Sequence, residues 1–182
     1  MKQIILPRKV IKSKNVVNVS ALKIKRELQV VLRTDVAWKE EMAHVLGKGF
    51  IVLDFGKEMH GGIRIVTSFM NVATAKIRIR FGESLSEANA ELGEKNATNN
   101  HSPRDFVATI SQLSDLTFGQ SGFRFARIDF LDEADIFIQN IVCVNQILSK
   151  KPLYTYKGND KRIKQIFTVA KRTLDLCAST DY

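Results

Sequence analysis

The sequence is poor in the residues that build metal centres and disulfide frameworks. Its three histidines, His44, His60 and His101, are scattered and lack the i, i+4 spacing that places two metal ligands on one helix face. Its two cysteines, Cys143 and Cys177, lie in apolar surroundings and in different expected elements, so we predict that both are buried free thiols. The sequence therefore indicates neither a metal ion nor another cofactor.

Long apolar runs and the common catalytic motifs are also missing. No uncharged apolar stretch approaches the ~18 residues that a membrane-spanning helix needs, so no membrane partner is expected. The start, MKQIILPRKVIKSK, has no apolar core of signal-peptide length because Pro7 and Arg8 interrupt it. We expect either a cytoplasmic protein or a natural start upstream, which leaves a periplasmic or secreted parent protein open. Neither a Gly-x-Ser-x-Gly elbow nor a phosphate-binding loop is present.

The net charge of +9 is concentrated at the two ends of the chain. Residues 1–33 carry nine Lys and Arg against Glu27 alone, and residues 150–182 carry eight against three aspartates. The middle, residues 34–149, has eleven basic and fifteen acidic residues. No RNA-binding motif, zinc spacing or set of stacking aromatic residues accompanies the basic ends, so we expect no nucleic-acid partner.

Strand patterns dominate from about residue 50 to residue 148. The stretch KIRIRF (76–81) alternates, with Ile77, Ile79 and Phe81 on one face and the basic residues on the other. A period of two with one polar face is typical of an antiparallel sheet that is solvated on one side. Several such short strands, separated by turn signals, predict a mainly β protein with an antiparallel, jelly-roll-like β-sandwich.

Three local features carry more specific predictions. The Gly61–Gly62 pair is a turn signal, because residues without Cβ can adopt positive φ. The stretch DVAWKEEMAHVLGKG (35–49) predicts a helical turn closed by glycines. In FRFARIDFL (123–131) the apolar positions change parity near Ala126 and Arg127, which indicates a bulge there or burial on both faces.

After Pro152 the period of the apolar residues changes to that of a helix. Residues 158–178 place an apolar stripe on one helical face, with Asn159 or Asp160 as the N-cap. We therefore predict a β-sandwich domain over residues 1–152 and a linker with one C-terminal helix over residues 153–182. The stripe comprises Ile163, Ile166, Phe167, Ala170, Leu174 and Cys177.

The most highly charged stretch, RFGESLSEANAELGEKNATNNHSPRDF (80–106), lies between two apolar runs. Its glutamates Glu83, Glu87, Glu91 and Glu94 would share one face of a short helix. Acid–base catalysis needs two carboxyl groups at a fixed separation, one of them with a raised pKa. Since no desolvating neighbour is evident, we predict ordinary ionised carboxylates on a solvated helix or loop.

The second half of this stretch, NATNNHSPRDF (96–106), concentrates amides and charged groups without a helix or strand period. Asn, His and Arg side chains are good donors to sugar hydroxyls, and loops at sandwich ends commonly carry binding residues. The candidate site residues are Asn99, His101, Arg104 and Asp105. The alternative is a turn in which Asn and Asp side chains cap their own backbone and Arg104 and Asp105 are solvated or paired locally.

Four stretches together, spanning residues 50–178, resemble a known family. They are VLDFGKEMHGGIRIVTSFM, KIRIRFGESLSEANAELGEKNATNNHSPRDF, SGFRFARIDFLDE and NDKRIKQIFTVAKRTLDLC. In this order they are similar to bacterial α-L-rhamnosidases of glycoside hydrolase family 78. The resemblance covers about 130 of the 182 residues, and residues 1–49 match only loosely.

The resemblance implies a division of labour between two domains. In that family β-sandwich domains precede a catalytic (α/α)6 barrel, whose acidic residues hydrolyse terminal rhamnosides with inversion. The C-terminal helix would be the first helix of the barrel, and the catalytic acids would have no matching positions in this chain. We therefore expect no catalytic residues here and no activity from the isolated chain. The implied partners are a rhamnose-containing glycan, bound through the parent enzyme, and the barrel domain itself. Asn99, His101, Arg104 and Asp105 would contact substrate or the barrel.

Two further hypotheses about the function remain open. A free-standing carbohydrate-binding module would need an exposed aromatic platform, for which Trp38, Tyr154 and Tyr156 are the candidates besides phenylalanine. A basic nucleic-acid-binding protein would use the Lys-rich ends. If the apolar stripe of the C-terminal helix has no partner within the chain, we expect it to fold back on the sandwich, to fray, or to form a homodimer with a second copy.

Overall fold

The computed structural model describes residues 2–30, 40–95, 104–146 and 156–177, and β-strands make up most of it. The strands are β1 (Lys2–Ile5), β2 (Lys9–Val17), β3 (Ala43–Met70), β4 (Thr74–Gly82), β5 (Asp105–Ser111), β6 (Asp115–Phe130) and β7 (Asp135–Gln146). The α-helices described are α1 (Leu85–Asn89) and α2 (Lys161–Cys177), and a 3-10 helix spans Val19–Lys23. The predicted fold class, an antiparallel β-sandwich followed by one C-terminal helix, is confirmed.

The strands form one antiparallel sheet that folds back on itself. Its order is β1-β7-β3-β6-β4-β5, with β2 paired to β3. Strand β7 is hydrogen-bonded to both ends of β3, since Val45 pairs with Ile136 at one end and Ile65 pairs with Ile141 at the other. A strand that is shared in this way bends the sheet into two facing layers, and the core lies between them.

The alternation predicted for β4 is confirmed on its inner face. Ile77, Ile79 and Phe81 are completely buried. The Phe81 ring stacks on Phe123 of β6, with 4.4 Å between the ring centroids, and Phe123 meets Phe55 of β3 edge-on at 5.8 Å. Aromatic residues from three strands therefore form the centre of the core.

The Gly61–Gly62 pair does not form a turn, so that prediction is wrong. Both glycines lie within β3. A Cβ atom on Gly61 would lie 2.1 Å from the Val144 carbonyl oxygen, and one on Gly62 would lie 2.3 Å from that of Gly119. Glycine is needed here because neighbouring backbone approaches too closely for any side chain.

The predicted helical turn over residues 35–49 is wrong for its second half, although residue 40 is helical and residues 41 and 42 form a turn and a bend. Residues 43–49 belong to β3, while residues 35–39 lie outside the described residues. Val45 pairs with Val16 of β2 on one edge and with Ile136 of β7 on the other. Pairing on both edges satisfies the backbone polar groups and outweighs the weak helical pattern.

The change of parity predicted near Ala126 is present, but the extra residues belong to the partner strand. Phe125 and Ala126 are both buried, and the register from Phe125 to Phe130 is continuous with β3 and with β4. The irregularity lies in β3 between Asp54 and Met59. Gly56 there has φ of +86°, and its N–H donates to Asp54 Oδ1 at 2.6 Å. The bulge is therefore stabilised by β3 itself.

Helix α2 begins after Asp160, whose carboxylate caps the first turn as predicted. Asp160 Oδ1 accepts hydrogen bonds from the N–H groups of Arg162 at 2.8 Å and Ile163 at 3.3 Å. No side chain of α2 is buried, and Ile166 and Leu174 are 68% and 70% exposed. The predicted boundary at residues 152 and 153 lies outside the described residues.

The cysteine prediction holds for one of the two thiols. Cys143 in β7 is completely buried, and burial raises its pKa to about 12. Cys177, at the end of α2, is exposed, so the prediction of a buried thiol is wrong there. The error follows from the exposure of most of the α2 stripe, whose period indicated a buried face.

Candidate functional site

The charged stretch between β4 and β5 begins with the short helix α1. Ser84 caps it, because the Ser84 hydroxyl accepts a hydrogen bond from the Glu87 N–H at 3.2 Å and Glu87 Oε2 accepts one from the Glu83 N–H at 2.7 Å. The spacing Ser-x-x-Glu is typical of such a cap. A Cβ atom on Gly82 would lie 2.5 Å from the Ala88 nitrogen, so α1 packs directly on the end of β4.

Arg104, one of the predicted site residues, lies buried beneath α1. Its Nη1 lies 2.5 Å from Glu87 Oε1, and its Nη2 donates to the Phe81 carbonyl oxygen at 3.2 Å. The Phe81 N–H in turn donates to the Arg104 carbonyl oxygen at 2.7 Å. These contacts attach the end of the charged stretch to its beginning. They also show that Glu87 is not on a solvated face, which corrects the prediction for that residue.

Asp105, the second described site residue, is held by Arg78 of β4. Arg78 Nε donates to Asp105 Oδ1 at 2.6 Å, and Arg78 Nη2 donates to Glu91 Oε2 at 2.5 Å. Hydrogen bonding to Asp105 and then to Glu91 raises the pKa of Arg78, and Arg78 lowers the pKa of Glu91. Glu91 is therefore held ionised beside the guanidinium, to which Asp105 is also hydrogen-bonded.

A third arginine extends this cluster across the outer face of the sheet. Arg80 is buried, although the alternation of β4 predicted it to be solvated. It pairs with Asp129 of β6 at 2.9 Å and with Glu91 at 3.2 Å, and Arg127 pairs with the same Asp129 at 2.7 Å. Helix α1 and the residues after it cover this face, which explains why the outward-facing arginine is not exposed.

We name this group the arginine–carboxylate cluster. It comprises Arg78, Arg80, Arg104, Arg127, Glu87, Glu91, Asp105 and Asp129. General acid catalysis needs a carboxyl group that is protonated near neutral pH. Within the cluster each carboxylate is paired with at least one guanidinium, and the hydrogen bond from Arg78 lowers the pKa of Glu91. The cluster is suited to fixing the charged stretch on the sheet rather than to proton transfer.

The remaining candidate residues, Asn99 and His101, lie outside the described residues. The structure places residues on either side of them, because Asp105 opens β5 and Glu91 follows α1. Both ends are bound to Arg78. The prediction that Asn99, His101, Arg104 and Asp105 contact substrate or a neighbouring domain stays a prediction.

A second polar site, which sequence reasoning missed, is a cleft of about 280 Å³ between α2 and three strands: β1, the bulge in the middle of β3, and the end of β7. The bulge in β3 contributes Glu58, β7 contributes Asn145, and α2 contributes Arg172. Arg172 donates a hydrogen bond to the Glu58 carbonyl oxygen, which joins helix and sheet. Gly56, the residue that shapes the bulge, is the one sequence signal that could have indicated it.

Glu58 has an electrostatic environment unlike that of the arginine–carboxylate cluster. Burial, then the nearby charge of Glu83, raises the pKa of Glu58, and Arg172 opposes this increase only in part. Within the described ranges, the Glu58 carboxylate accepts no hydrogen bond from the protein. A partly buried carboxylate without a donor is available to a bound molecule.

The described segments hold no group of three or more His, Cys, Asp or Glu side chains that could bind a metal ion. Neither of their α-helices is long and apolar enough to cross a bilayer.

Comparison with known proteins gives a relationship at the level of the fold. No family model matches the sequence, and no curated protein is significantly similar to it. Among solved structures, a rhamnosidase from Klebsiella oxytoca with rhamnose bound superimposes with a TM-score of 0.64 and 16% sequence identity. The alignment covers 98% of this chain and 36% of that enzyme.

A second solved structure belongs to the family that the sequence resembles. The family 78 rhamnosidase of Bacillus sp. GL1 superimposes with a TM-score of 0.56 and 14% identity, over 87% of this chain and 15% of the enzyme. The chain thus spans about a third of the first enzyme and about a sixth of the second. The resemblance is confirmed for the fold: the chain is a β-sandwich of the kind found in part of these rhamnosidases.

Proposed function

We propose that the chain is a non-catalytic β-sandwich portion of an enzyme resembling an inverting α-L-rhamnosidase, which removes terminal rhamnose from glycans or glycosides. The observation that carries this proposal is the extent of the structural match. An alignment that covers 98% of the chain includes most of α2 as well as the sandwich. A sandwich that continues directly into a helix is what the resemblance implies for the junction with a helical barrel.

The electrostatics of the charged stretch support the non-catalytic part of the proposal. Inverting hydrolysis needs an acid and a base roughly 6.5–9.5 Å apart, with the acid protonated. Arginine holds Glu91 in the ionised state, and the half-buried Glu87 is paired with Arg104. The bond-breaking carboxyl groups then belong to the barrel rather than to this chain.

The proposed partners follow from the same arrangement. A rhamnose-containing glycan would be bound through the parent enzyme, and the helical barrel would cover the exposed face of α2. A homodimer through α2 is the alternative way to cover Ile166 and Leu174.

The candidate residues fit an interface role within this proposal. Arg104, close in sequence to Asn99 and His101, is fixed to α1 through Glu87. We expect His101→Ala to lower kcat/KM of the full-length enzyme with little change in stability. Unchanged kcat/KM and stability in both His101→Ala and Arg104→Ala would remove the interface role.

Hydrolysis of an aryl α-L-rhamnoside tests the proposal as a whole. The 182-residue chain should be inactive, whereas the product of the complete reading frame should release the aryl group with inversion at the anomeric carbon. Hydrolysis by the isolated chain, or a complete product with no activity on rhamnosides, would contradict it.

The alternative of a free-standing carbohydrate-binding module has less support. Its aromatic platform would draw on Trp38 and Tyr154, which lie outside the described residues, or on Tyr156, which packs beside Phe167. Phe69 is the one aromatic ring that is largely exposed within the described part of the chain. A single ring does not form the stacking surface that such a module needs.

A further inference from the structure

The cleft between α2 and the sheet has a floor whose geometry is fixed by strand pairing. Gln3 of β1 and Gly61 of β3 both pair with Asn145 of β7, so three strands run side by side beneath the cleft. Asn145 Oδ1 accepts a hydrogen bond from the His60 N–H at 3.2 Å. This contact fixes the orientation of the Asn145 side-chain amide, so its Nδ2 is the atom that can donate to a bound molecule.

Several polar groups of the cleft have unused hydrogen-bonding capacity. Within the described ranges, neither the Asn145 side-chain nitrogen nor any polar atom of the Gln3 side chain bonds to another protein group. Gln146 accepts one hydrogen bond through Oε1, from Gln120 at 3.4 Å, and donates none. The floor therefore offers amide donors, while Glu58 on the adjacent wall offers an unused carboxylate acceptor.

The helix side of the cleft adds balanced charge and one apolar surface. Lys171 and Asp175 pair with each other at 3.5 Å, and Arg172 is bonded to the Glu58 carbonyl. Leu176 also lines the cleft and is less exposed than the apolar stripe of α2. The cleft thus combines donors, an acceptor and an apolar patch without a large excess of either charge.

We propose that this cleft binds a single neutral sugar unit. Hydroxyl groups both donate and accept, so adjacent hydroxyls can donate to the Glu58 carboxylate and accept from the amides of Asn145 and Gln146. The C–H face of the ring would contact Leu176. The volume of about 280 Å³ lies just below the usual range for small-molecule sites, roughly 300–1,000 Å³, and suits one ring rather than an oligosaccharide.

The inference rests on the proposed function for the choice of a sugar as ligand. It goes beyond that proposal because it assigns a second sugar contact, on the sandwich, formed by residues remote in sequence from the charged stretch. The site lies where the sheet meets α2, so an occupied cleft would also hold the helix against the sandwich.

Titration of the ¹⁵N-labelled 182-residue chain with L-rhamnose, followed by NMR, tests the assignment. We expect saturable shifts of the side-chain amide signals of Gln3, Asn145 and Gln146, with Kd in the millimolar range. Glycerol at the same concentrations is the control for a non-specific polyol effect. Equal shifts with glycerol, shifts that do not saturate, or shifts located elsewhere would overturn the proposal.

Two variants and one control separate the cleft from the rest of the molecule. Glu58→Gln should weaken binding about tenfold, the usual value of one hydrogen bond to a charged group, and Gln3→Ala should weaken it less. Glu133→Gln, an exposed carboxylate between β6 and β7 and outside the lining, should leave Kd unchanged. Unchanged Kd in both cleft variants, with well-dispersed spectra, would overturn the proposal. That result would not affect rhamnoside hydrolysis by the complete gene product. Failure of the cleft proposal can therefore be distinguished from failure of the proposed function.

Discussion

Arg104, which is buried, and Glu87, which is half-buried, form an ion pair with 2.5 Å between Nη1 and Oε1. Glu87 belongs to α1, before the loop, and Arg104 immediately precedes β5. The pair therefore joins the described residues on either side of residues 96–103.

Removal of the Arg104 guanidinium should cost far more stability than a surface ion pair. Arg104→Ala leaves the Glu87 carboxylate and the Phe81 carbonyl without their partner in a buried position, and we expect a loss of about 3–5 kcal/mol in the free energy of unfolding. Arg104→Lys keeps the charge and should lose less. Urea denaturation measures both, and a loss below about 1 kcal/mol would place the pair among surface interactions.

The close approach of backbone at Gly61 predicts a steric effect. Gly61→Ala would place a Cβ atom 2.1 Å from the Val144 carbonyl oxygen, so β3 and β7 must separate, and we expect a loss of about 2 kcal/mol or more. Gly122→Ala is the matched control on β6, because its nearest neighbour, Glu58 Oε1, is at 3.4 Å. The control should stay within about 0.5 kcal/mol of the unchanged protein, and equal effects in thermal unfolding would refute the contact.

Arginine pairing predicts a loss of stability in acid. The pKa of Asp115 is lowered chiefly by its hydrogen bond with Arg64, and that of Glu91 by its hydrogen bond with Arg78. A carboxyl group with a depressed pKa contributes stability at pH values above its ordinary pKa, which is 3.8 for Asp115 and 4.5 for Glu91. That contribution is lost as the pH falls through the lower pKa of the folded state. The urea concentration at the midpoint of unfolding should be constant near pH 7 and should decrease when the pH is lowered below about 4.5. Asp115→Asn should lower stability at pH 7 and flatten the slope in acid; an unchanged slope would contradict the assignment.

The two thiols should differ strongly in reactivity. Cys143 is completely buried with a pKa of about 12, so little thiolate forms and reagents have no access to it. Cys177 is exposed. Iodoacetamide at pH 8 should alkylate Cys177 on the order of 100-fold faster, as mass spectrometry of the digested protein would show. Cys177→Ser should then take up reagent only in denaturant.

The apolar face of α2 predicts self-association of the chain. Ile166 and Leu174 are mostly exposed and share the stripe with Ile163. We expect light scattering to show concentration-dependent dimers of the 182-residue chain and monomers of a chain that ends at Ser149. Replacement of Ile166 and Leu174 by lysine should give monomers without loss of the sandwich. Identical monomers in all three proteins would contradict the prediction.

The features predicted correctly from the sequence are those encoded by neighbouring residues. The alternation of Ile77, Ile79 and Phe81 places the inner face of β4, and Asp160 caps α2 through contacts two and three residues away. Each signal is contained in one strand or one helical turn, where period and capping preference act directly.

The features that were missed depend on contacts between distant segments. Arg80 is buried because Asp129, 49 residues away, pairs with it and the residues after α1 cover it. Gly61 is needed because β7 approaches from 83 residues further along the chain. The Glu58 cleft forms only where α2 meets the sheet. Neither periodicity nor composition contains such pairings.

Strand β3 has a consequence for the order in which the protein can fold. It emerges from the ribosome long before β6 and β7, which together occupy one of its edges along most of its length. Until β6 and β7 have been synthesised, that edge carries unpaired backbone N–H and C=O groups. Such an edge recruits holdase chaperones or promotes aggregation. Pairings this remote in sequence are slow to form, so a nascent chain should acquire protection from hydrogen exchange late and in a single step, when β7 is released.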